Sequence, residues 1–367
     1  MSTVEGLDTD ALATWLESER PGLFSGPLEA TLITGGKSNL TYAVTDGSTE
    51  VIVRRPPLGH VLATAHDMSR EHRVITALGP TDVPVPETFA LCEDDAVIGA
   101  PFYVMERVSG TPYSRATQLE ALGTDRTRVI TERMIDTLVA LHAVDPSDVG
   151  LDDFGRPDGY LERQVRRWKK QLDGSRSRDI DGMDELIARL EENIPASGAA
   201  TIVHGDFRLD NLLVDDDADT INAVLDWEMS TLGDPLTDVA VLLAYQQLSV
   251  ALQDSGQASG GGAGPRAAGG QSMVTAMVTD APLAPGYLSG DAVLERYHAM
   301  SGRDVSDLDF HLALAFFKLA VILEGIYYRH THGQTLGSGF DGIGDLIEPL
   351  VTAGINAGLN TRGVTES

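Results

Sequence analysis

The fold class the sequence predicts is α+β in two parts, a small antiparallel sheet followed by a larger, mainly helical region. Three observations carry this expectation. Residues 29–55 read as short strands joined by turn signals. From residue 126 onward, apolar residues recur at helical spacing. Residues 201–227 break that spacing with short strands that bear several polar side chains. Gly110 and Pro112 mark the boundary between the parts. The linear division is a helical extension over 1–24, an N-terminal lobe over 25–109 and a C-terminal lobe over 110–367.

Residues 8–19 predict a first helix, with Asp8 as its cap and Leu12, Trp15 and Leu16 on one face. "EATLIT", "LTYAVT" and "VIVRR" predict a three-stranded meander, with "DGSTE" (46–50) as a tight turn. "HDMSREHRVITALG" (66–79) predicts a helix closed by Gly79, with Met68, His72, Ile75 and Leu78 on one side. "VPVPETFALCEDD" and "APFYVMERVSG" predict two more strands. Further helices are expected to about His142, over 160–173 and over 183–194. After Asp238 the helical pattern resumes, with helices near 291–300 and 307–328. The Gly-rich stretch 254–272 cannot pack a core and predicts a flexible insertion, either solvated or acting as a flap.

A chain of 367 residues, 42% hydrophobic and 22% charged, is long and apolar enough to fold into two lobes. Cys92 is the only cysteine, which excludes an internal disulfide and fits a reducing, cytoplasmic compartment. "MSTVEGLDTDALATW" is acidic and does not read as a signal peptide. "LALAFFKLAVIL" (312–323) reads as too short and too interrupted to span a bilayer, so no membrane partner is expected. The formal net charge is −28, and lysine stands only at 37, 169, 170 and 318. Such a surface repels nucleic acid. It also predicts a halophilic protein, because salt screens the self-repulsion of a compact acidic chain.

"TLITGGKSNLTY" (31–42) ends its glycine turn like a Walker motif, but Thr31 stands where that motif needs Gly. "TIVHGDFRLDNLLVD" (201–215) carries more chemistry. A strand stops at a polar turn, "NLLVD" begins a hairpin, and "INAVLDWE" (221–228) returns from it. Asn211 then lies near the start of the hairpin and Asp226 near its end. Oxygen ligands so placed suit Mg²⁺, which keeps waters and phosphate oxygens in its shell. Asp206, five residues before Asn211, is placed to orient and deprotonate a hydroxyl. Capping of turns is the alternative for each residue taken alone. His330 and His332 have no Cys or nearby acidic partner and do not make a zinc cluster.

"HGDFRLDN" (204–211) and "LDWE" (225–228) resemble the aminoglycoside phosphotransferase and choline-kinase group. The resemblance covers roughly residues 25–330. "GGKSNLTY", "VIVRRPP" and "LGDPLTDVA" are similar to the branch of kinase-like domains found with acyl-CoA dehydrogenases. The resemblance implies a bilobal protein-kinase-like fold with ATP and Mg²⁺ as cofactors. It places the base at Asp206 and the metal ligands at Asn211 and Asp226. Gly35, Gly36, Ser38 and Asn39 would form the turn over the ATP phosphates. Arg54 would pair with phosphates where protein kinases have Lys, with Arg55 as a competing assignment, and Glu71 would hold that cation, a surface helix charge being the alternative. Backbone atoms near Glu106–Val108 would meet the adenine, flanked by Val53 and Met105. His204 would brace the loop. Arg208 would either offset phosphoryl or substrate charge or pair with nearby carboxylates, and Glu228 would either support the metal or form a salt bridge. Asp234 and Asp238 would be architectural.

The function so implied is an ATP- and Mg²⁺-dependent O-phosphotransferase acting on a small-molecule hydroxyl, a hydroxyacyl-CoA or hydroxy acid. The alternatives are an aminoglycoside or macrolide phosphotransferase and a non-catalytic kinase-like ATP-binding protein. A monomer or homodimer is expected. Arg163, Arg166, Arg167, Lys169 and Lys170 offer a basic patch either for an anionic acceptor or for the chain's own acidic surface.

Overall fold

A computed structural model describes residues 4–33, 39–58, 67–196, 198–254, 279–334 and 342–357. Its contacts divide the chain into two units. Met1–Thr111, Ser147–Leu151 and Leu212–Ser230 form the first, and Pro112–Pro146, Asp152–Asn211 and Thr231–Ser367 the second. One cut at 109/110 therefore does not describe the chain, because the segment Leu212–Ser230 returns to the first unit.

In the first unit, numbering elements along the whole chain, the sheet holds β1 (Glu29–Leu32), β2 (Leu40–Thr45), β3 (Glu50–Arg55), β4 (Thr88–Cys92) and β5 (Phe102–Glu106). Their order is β1-β2-β3-β5-β4, antiparallel throughout. The turn between β2 and β3 forms because the Asp46 carboxylate accepts the N–H groups of Ser48 and Thr49, while Gly47 takes a φ of 89°. Period-two alternation sends Tyr42, Val44, Val51 and Val53 to one face. There they pack with Leu12 and Leu16 of α1 (Thr9–Glu19), and Trp15 meets Phe102 edge-on at 4.8 Å. The N-terminal helix is thus part of this core rather than an extension to it. Asp8 caps it as expected, accepting from the N–H groups of Asp10 and Ala11.

The opposite strand positions, Arg54 and Tyr103, meet α2 (Met68–Leu78), whose buried face is Met68, Glu71, Val74, Ile75 and Leu78. A short α3 (Asp95–Ile98) was not expected. Asp94 caps it and Gly99, at φ 85°, ends it. The hairpin of β7 (Leu212–Val214) and β8 (Ile221–Val224) completes the unit.

The second unit is mainly helical. It contains α4 (Ala116–Leu122), α5 (Thr124–Ala143), α6 (Tyr160–Asp173), α7 (Met183–Glu192), α8 (Leu236–Asp254), α9 (Gly290–Ser301), α10 (Leu308–Thr331) and α11 (Ile347–Asn356). A two-stranded ribbon pairs β6 (Thr201–Val203) with β9 (Thr231–Gly233). The sequence reading has no β9, because three residues before a helix cap show no periodicity. Gly233 is needed there, since a Cβ would come within 2.6 Å of the Tyr160 ring.

Helix α10 corrects the bilayer argument. It is one continuous helix of 24 residues, long and apolar enough to cross a membrane, but 78% of its apolar window is buried inside the protein. The Gly-rich stretch 254–272 lies outside the described residues, apart from Asp254 at the end of α8.

Candidate active site

Two clusters of polar side chains, one in each unit, contain several of the residues singled out by the sequence. In the first unit, the β3 register turns Arg54 toward α2 and Arg55 away from it. Arg55 donates to the carbonyls of Gly6 and Ile98. Arg54 Nε lies 3.1 Å from Glu71 Oε2, its Nη2 lies 2.5 Å from Asp226 Oδ1, and Glu228 Oε2 is 3.9 Å from Nη2. Glu71 is 1% exposed, so the surface-charge reading of this helix residue does not hold. It also accepts from Tyr103 Oη at 3.0 Å and from Asn39 Nδ2 at 2.9 Å. Burial pushes the Glu71 carboxyl up, and the neighbouring Arg54 charge works against that. Burial likewise opposes the Arg54 charge, but Tyr103, Glu71 and Asp226 outweigh it and raise its pKa. Asp226 sits in the left-handed region, at φ 67°, directly after the β8 strand and Leu225.

Other expected nucleotide contacts are placed as follows. Gly35, Gly36 and Ser38 lie outside the described residues. Asn39 is buried, and its amide donates to Glu71 and, at 3.3 Å, to Glu228. Glu106 ends β5 and is exposed. Its N–H donates to the Glu87 carbonyl at 2.8 Å and its carboxylate accepts the Glu87 N–H. That N–H is therefore engaged in loop structure rather than turned outward to a base. Val108 is half-buried in the segment that follows, and Val53 and Met105 are buried in the sheet.

In the second unit, β6 ends at Val203 and the chain enters the turn 204–211, where Gly205 adopts φ 85°. Asp238, fully buried in the first turn of α8, accepts the N–H groups of His204 and Gly205, both at 2.7 Å. His142 Nε2 lies 3.2 Å from the same carboxylate, and its Nδ1 is 2.8 Å from Tyr297 Oη. The Asp206 N–H donates to His204 Nδ1 at 3.2 Å, so His204 braces the turn locally. Asn211 Nδ2 donates to the Asp206 carbonyl at 2.9 Å and to its Oδ2 at 3.2 Å. Arg208 pairs with Asp210 at 2.9 Å, lies 3.5 Å from Asp206 and stacks over Tyr245 at 4.5 Å. Lys318 of α10 donates to the Gly205 carbonyl at 2.8 Å.

Burial alone would raise the Asp206 pKa. Arg208, Lys318, His204 and the Asn211 bond outweigh burial and hold the carboxyl below its ordinary range. Asp206 is thus an ionised acceptor in a turn fixed by its neighbours. Asp234 caps α8 through the Leu236 N–H and lies 3.3 Å from His311, the architectural place expected for it. Lys318 and Tyr245 were missed. The only signal for Lys318 was a lone cation interrupting an apolar helix.

Each of the two residues expected to bind metal, one in each unit, offers an oxygen of the kind that Mg²⁺ takes. Asn211 spends its NH₂ on Asp206, which leaves the amide oxygen as its acceptor atom, and Asp226 is a carboxylate. Among the described residues no group of three or more His, Cys, Asp or Glu is placed to hold a metal ion. His330 and His332 end α10, where His332 stacks on Tyr328. In the basic patch, Lys169 pairs with Glu191, Arg163 bonds the carbonyls of Arg156 and Asp158, and Arg167 lies over Trp168.

Residues 29–270 match the model of the phosphotransferase enzyme family. The chain belongs to that family. Mouse acyl-CoA dehydrogenase family member 10 is 33% identical over 352 residues, which cover 93% of this chain and 30% of that protein. Chicken acyl-CoA dehydrogenase family member 11 is 32% identical, covering 90% and 40% respectively. This phosphotransferase-family chain therefore spans well under half the length of these relatives. A provisional aminoglycoside phosphotransferase from Ralstonia eutropha is 32% identical, with a TM-score of 0.77 over 95% of this chain and 98% of the other. The hygromycin B complex of aminoglycoside phosphotransferase APH(4)-Ia has a TM-score of 0.58 at 15% identity over 96% and 99%, a likeness of fold alone. The α+β fold expected, with a small antiparallel N-terminal sheet and a larger helical C-terminal part, is the fold found.

Proposed function

We propose that this chain is an ATP- and Mg²⁺-dependent O-phosphotransferase that moves the γ-phosphoryl of ATP to a hydroxyl of a small molecule. The observation that supports it most is the placement of Asp206, whose carboxylate accepts a bond from Asn211 Nδ2 at 3.2 Å in a turn anchored by Asp238. In this reading Asp206 orients the acceptor hydroxyl and takes its proton as the new oxygen–phosphorus bond forms and the bond to the ADP leaving oxygen breaks. Its carboxyl is held below the ordinary range, which keeps it charged to accept a hydrogen bond from the hydroxyl, and in a loose transition state that hydroxyl needs orientation more than prior deprotonation. Arg54, tied to Glu71, presents a permanent charge to the ATP phosphates. Asn211 and Asp226 would hold Mg²⁺, which supplies charge neutralisation at the transferring phosphoryl. Arg208 would offset charge beside Asp206. Gly35, Gly36, Ser38, Asn39, Glu106 and Val108 remain assigned to the nucleotide by the family resemblance alone.

For the acceptor, the aminoglycoside alternative has more support from the comparisons than the hydroxyacyl-CoA or hydroxy acid reading. The solved structure that bears an aminoglycoside name matches nearly the whole of both chains at 32% identity. The hydroxyacyl reading draws on the acyl-CoA dehydrogenase names of relatives of which this chain spans a minor part. Mass spectrometry of products from Mg²⁺-ATP with separate aminoglycoside, amino alcohol, hydroxy acid and hydroxyacyl-CoA pools tests both. A phosphorylated aminoglycoside supports the first acceptor, and a phosphorylated hydroxyacyl-CoA replaces it. Bound ATP with no phosphorylated product in any pool would favour the non-catalytic alternative.

A further inference from the structure

The geometry points to Lys318 as a positioning residue for the turn that carries Asp206, an inference that builds on the phosphotransferase reading above. Lys318 is one of four lysines in a chain of net charge −28. It lies within α10, a helix of 24 residues long and apolar enough to cross a membrane, between Phe317 and Leu319, both buried. An ammonium there loses solvation that apolar neighbours do not replace, so its partners must offset the cost. Its Nζ donates to the Gly205 carbonyl at 2.8 Å and lies 5.8 Å from the Trp168 ring centre.

Gly205 is the residue immediately before Asp206, and its backbone takes φ 85°. Its N–H is held by Asp238 of α8 and its carbonyl by Lys318 of α10. Both polar groups of one residue are thus fixed by opposite charges from two different helices. The carbonyl belongs to the Gly205–Asp206 peptide, so Lys318 sets the plane from which the Asp206 side chain departs. Asn211 fixes the other side, bonding the Asp206 carbonyl and Oδ2. Remove the ammonium and the Gly205 carbonyl loses its partner, leaving only the N–H of the same peptide, on His204 Nδ1 at 3.2 Å, to hold it at a glycine, where rotation meets least steric resistance. A displacement of about 1 Å at a reacting group lowers turnover by up to about 10²-fold.

The test compares Lys318→Met, Lys318→Arg and Lys318→Gln with the unchanged protein, using two readouts. Amide hydrogen exchange of residues 201–211 reads the turn without requiring turnover. Steady-state kinetics with Mg²⁺-ATP and the accepted hydroxyl compound read its consequence. Lys318→Met is expected to speed exchange at Gly205 and Asp206 by about tenfold while amides of β3 and α2 stay unchanged. Its kcat should fall by about 10- to 100-fold with the KM for ATP within about twofold, and Lys318→Arg should restore most of both. Unchanged exchange and kcat in Lys318→Met would overturn the inference. So would losses that follow global unfolding and that Lys318→Arg does not repair. If no acceptor is phosphorylated by the unchanged protein, the phosphotransferase reading fails, and the exchange rates still decide whether Lys318 holds the turn. If Lys318→Met does not fold, the Arg and Gln variants carry the same comparison.

Discussion

Arg54 Nη2 lies 2.5 Å from Asp226 Oδ1 while the same guanidinium keeps its Nε 3.1 Å from Glu71. One cation on β3 thus serves two carboxylates through different nitrogens of its planar fork. Arg54→Met leaves the Glu71 carboxylate buried without its counter-charge. The expected cost is about 3–5 kcal/mol, assigned to Glu71 rather than to the more exposed Asp226. Arg54→Lys keeps the charge and should lose less stability and less nucleotide affinity than Arg54→Met. Urea denaturation and ATP titration of both variants check this, and an Arg54→Met midpoint equal to that of the unchanged protein would contradict it.

Asp238 joins four groups of the second unit: the N–H donors of His204 and Gly205, the His142 ring and, through His142, Tyr297. Burial opposes its ionisation, but the bonds from His142 and His204 outweigh it, so its folded pKa lies below the ordinary carboxylate value. A depressed carboxylate stabilises the fold fully above its unfolded pKa of about 3.9, and that stability is lost as pH falls through the folded pKa. Asp234, lowered in the same direction through His311, adds to the same window. Asp238→Asn is expected to cost about 1–3 kcal/mol at neutral pH and to flatten the acid limb of stability. Denaturation midpoints between pH 3 and 7 measure both effects, and an acid limb as steep as that of the unchanged protein would exclude Asp238 as its source.

The acidic surface predicts its own salt response. With a net charge of −28, screening should relieve repulsion in the compact state more than in the expanded one. The thermal midpoint should rise from low to multimolar KCl. A midpoint that falls or stays level across that range would remove the halophilic expectation.

Much of this was legible because local rules were strong. The meander followed from alternation at Tyr42, Val44, Val51 and Val53 and from the turn chemistry of Asp46 and Gly47. The polar turn was legible from Asp206 and Asn211, whose spacing matches the bond between them. Strand alternation also separates the adjacent arginines, since Arg54 meets Glu71 while Arg55 bonds the Ile98 carbonyl. What was not legible depended on distant partners. The β6–β9 ribbon pairs Thr201 with Gly233 across a long separation, with too few residues for a period. For Glu71 the resemblance supplied the Arg54 contact, but not the bonds from Tyr103 and Asn39 that close around it. Lys318 reads as a flaw in an apolar helix until Gly205 meets it.

The central claim is that Asp206 receives the acceptor proton during phosphoryl transfer. Its most direct test is acceptor-dependent ADP release from Mg²⁺-ATP at high KCl, comparing the unchanged protein with Asp206→Asn. The account predicts a kcat lower by about 10²- to 10⁴-fold in Asp206→Asn, with ATP binding and the unfolding midpoint preserved. Equal acceptor-dependent turnover in the two proteins would contradict it.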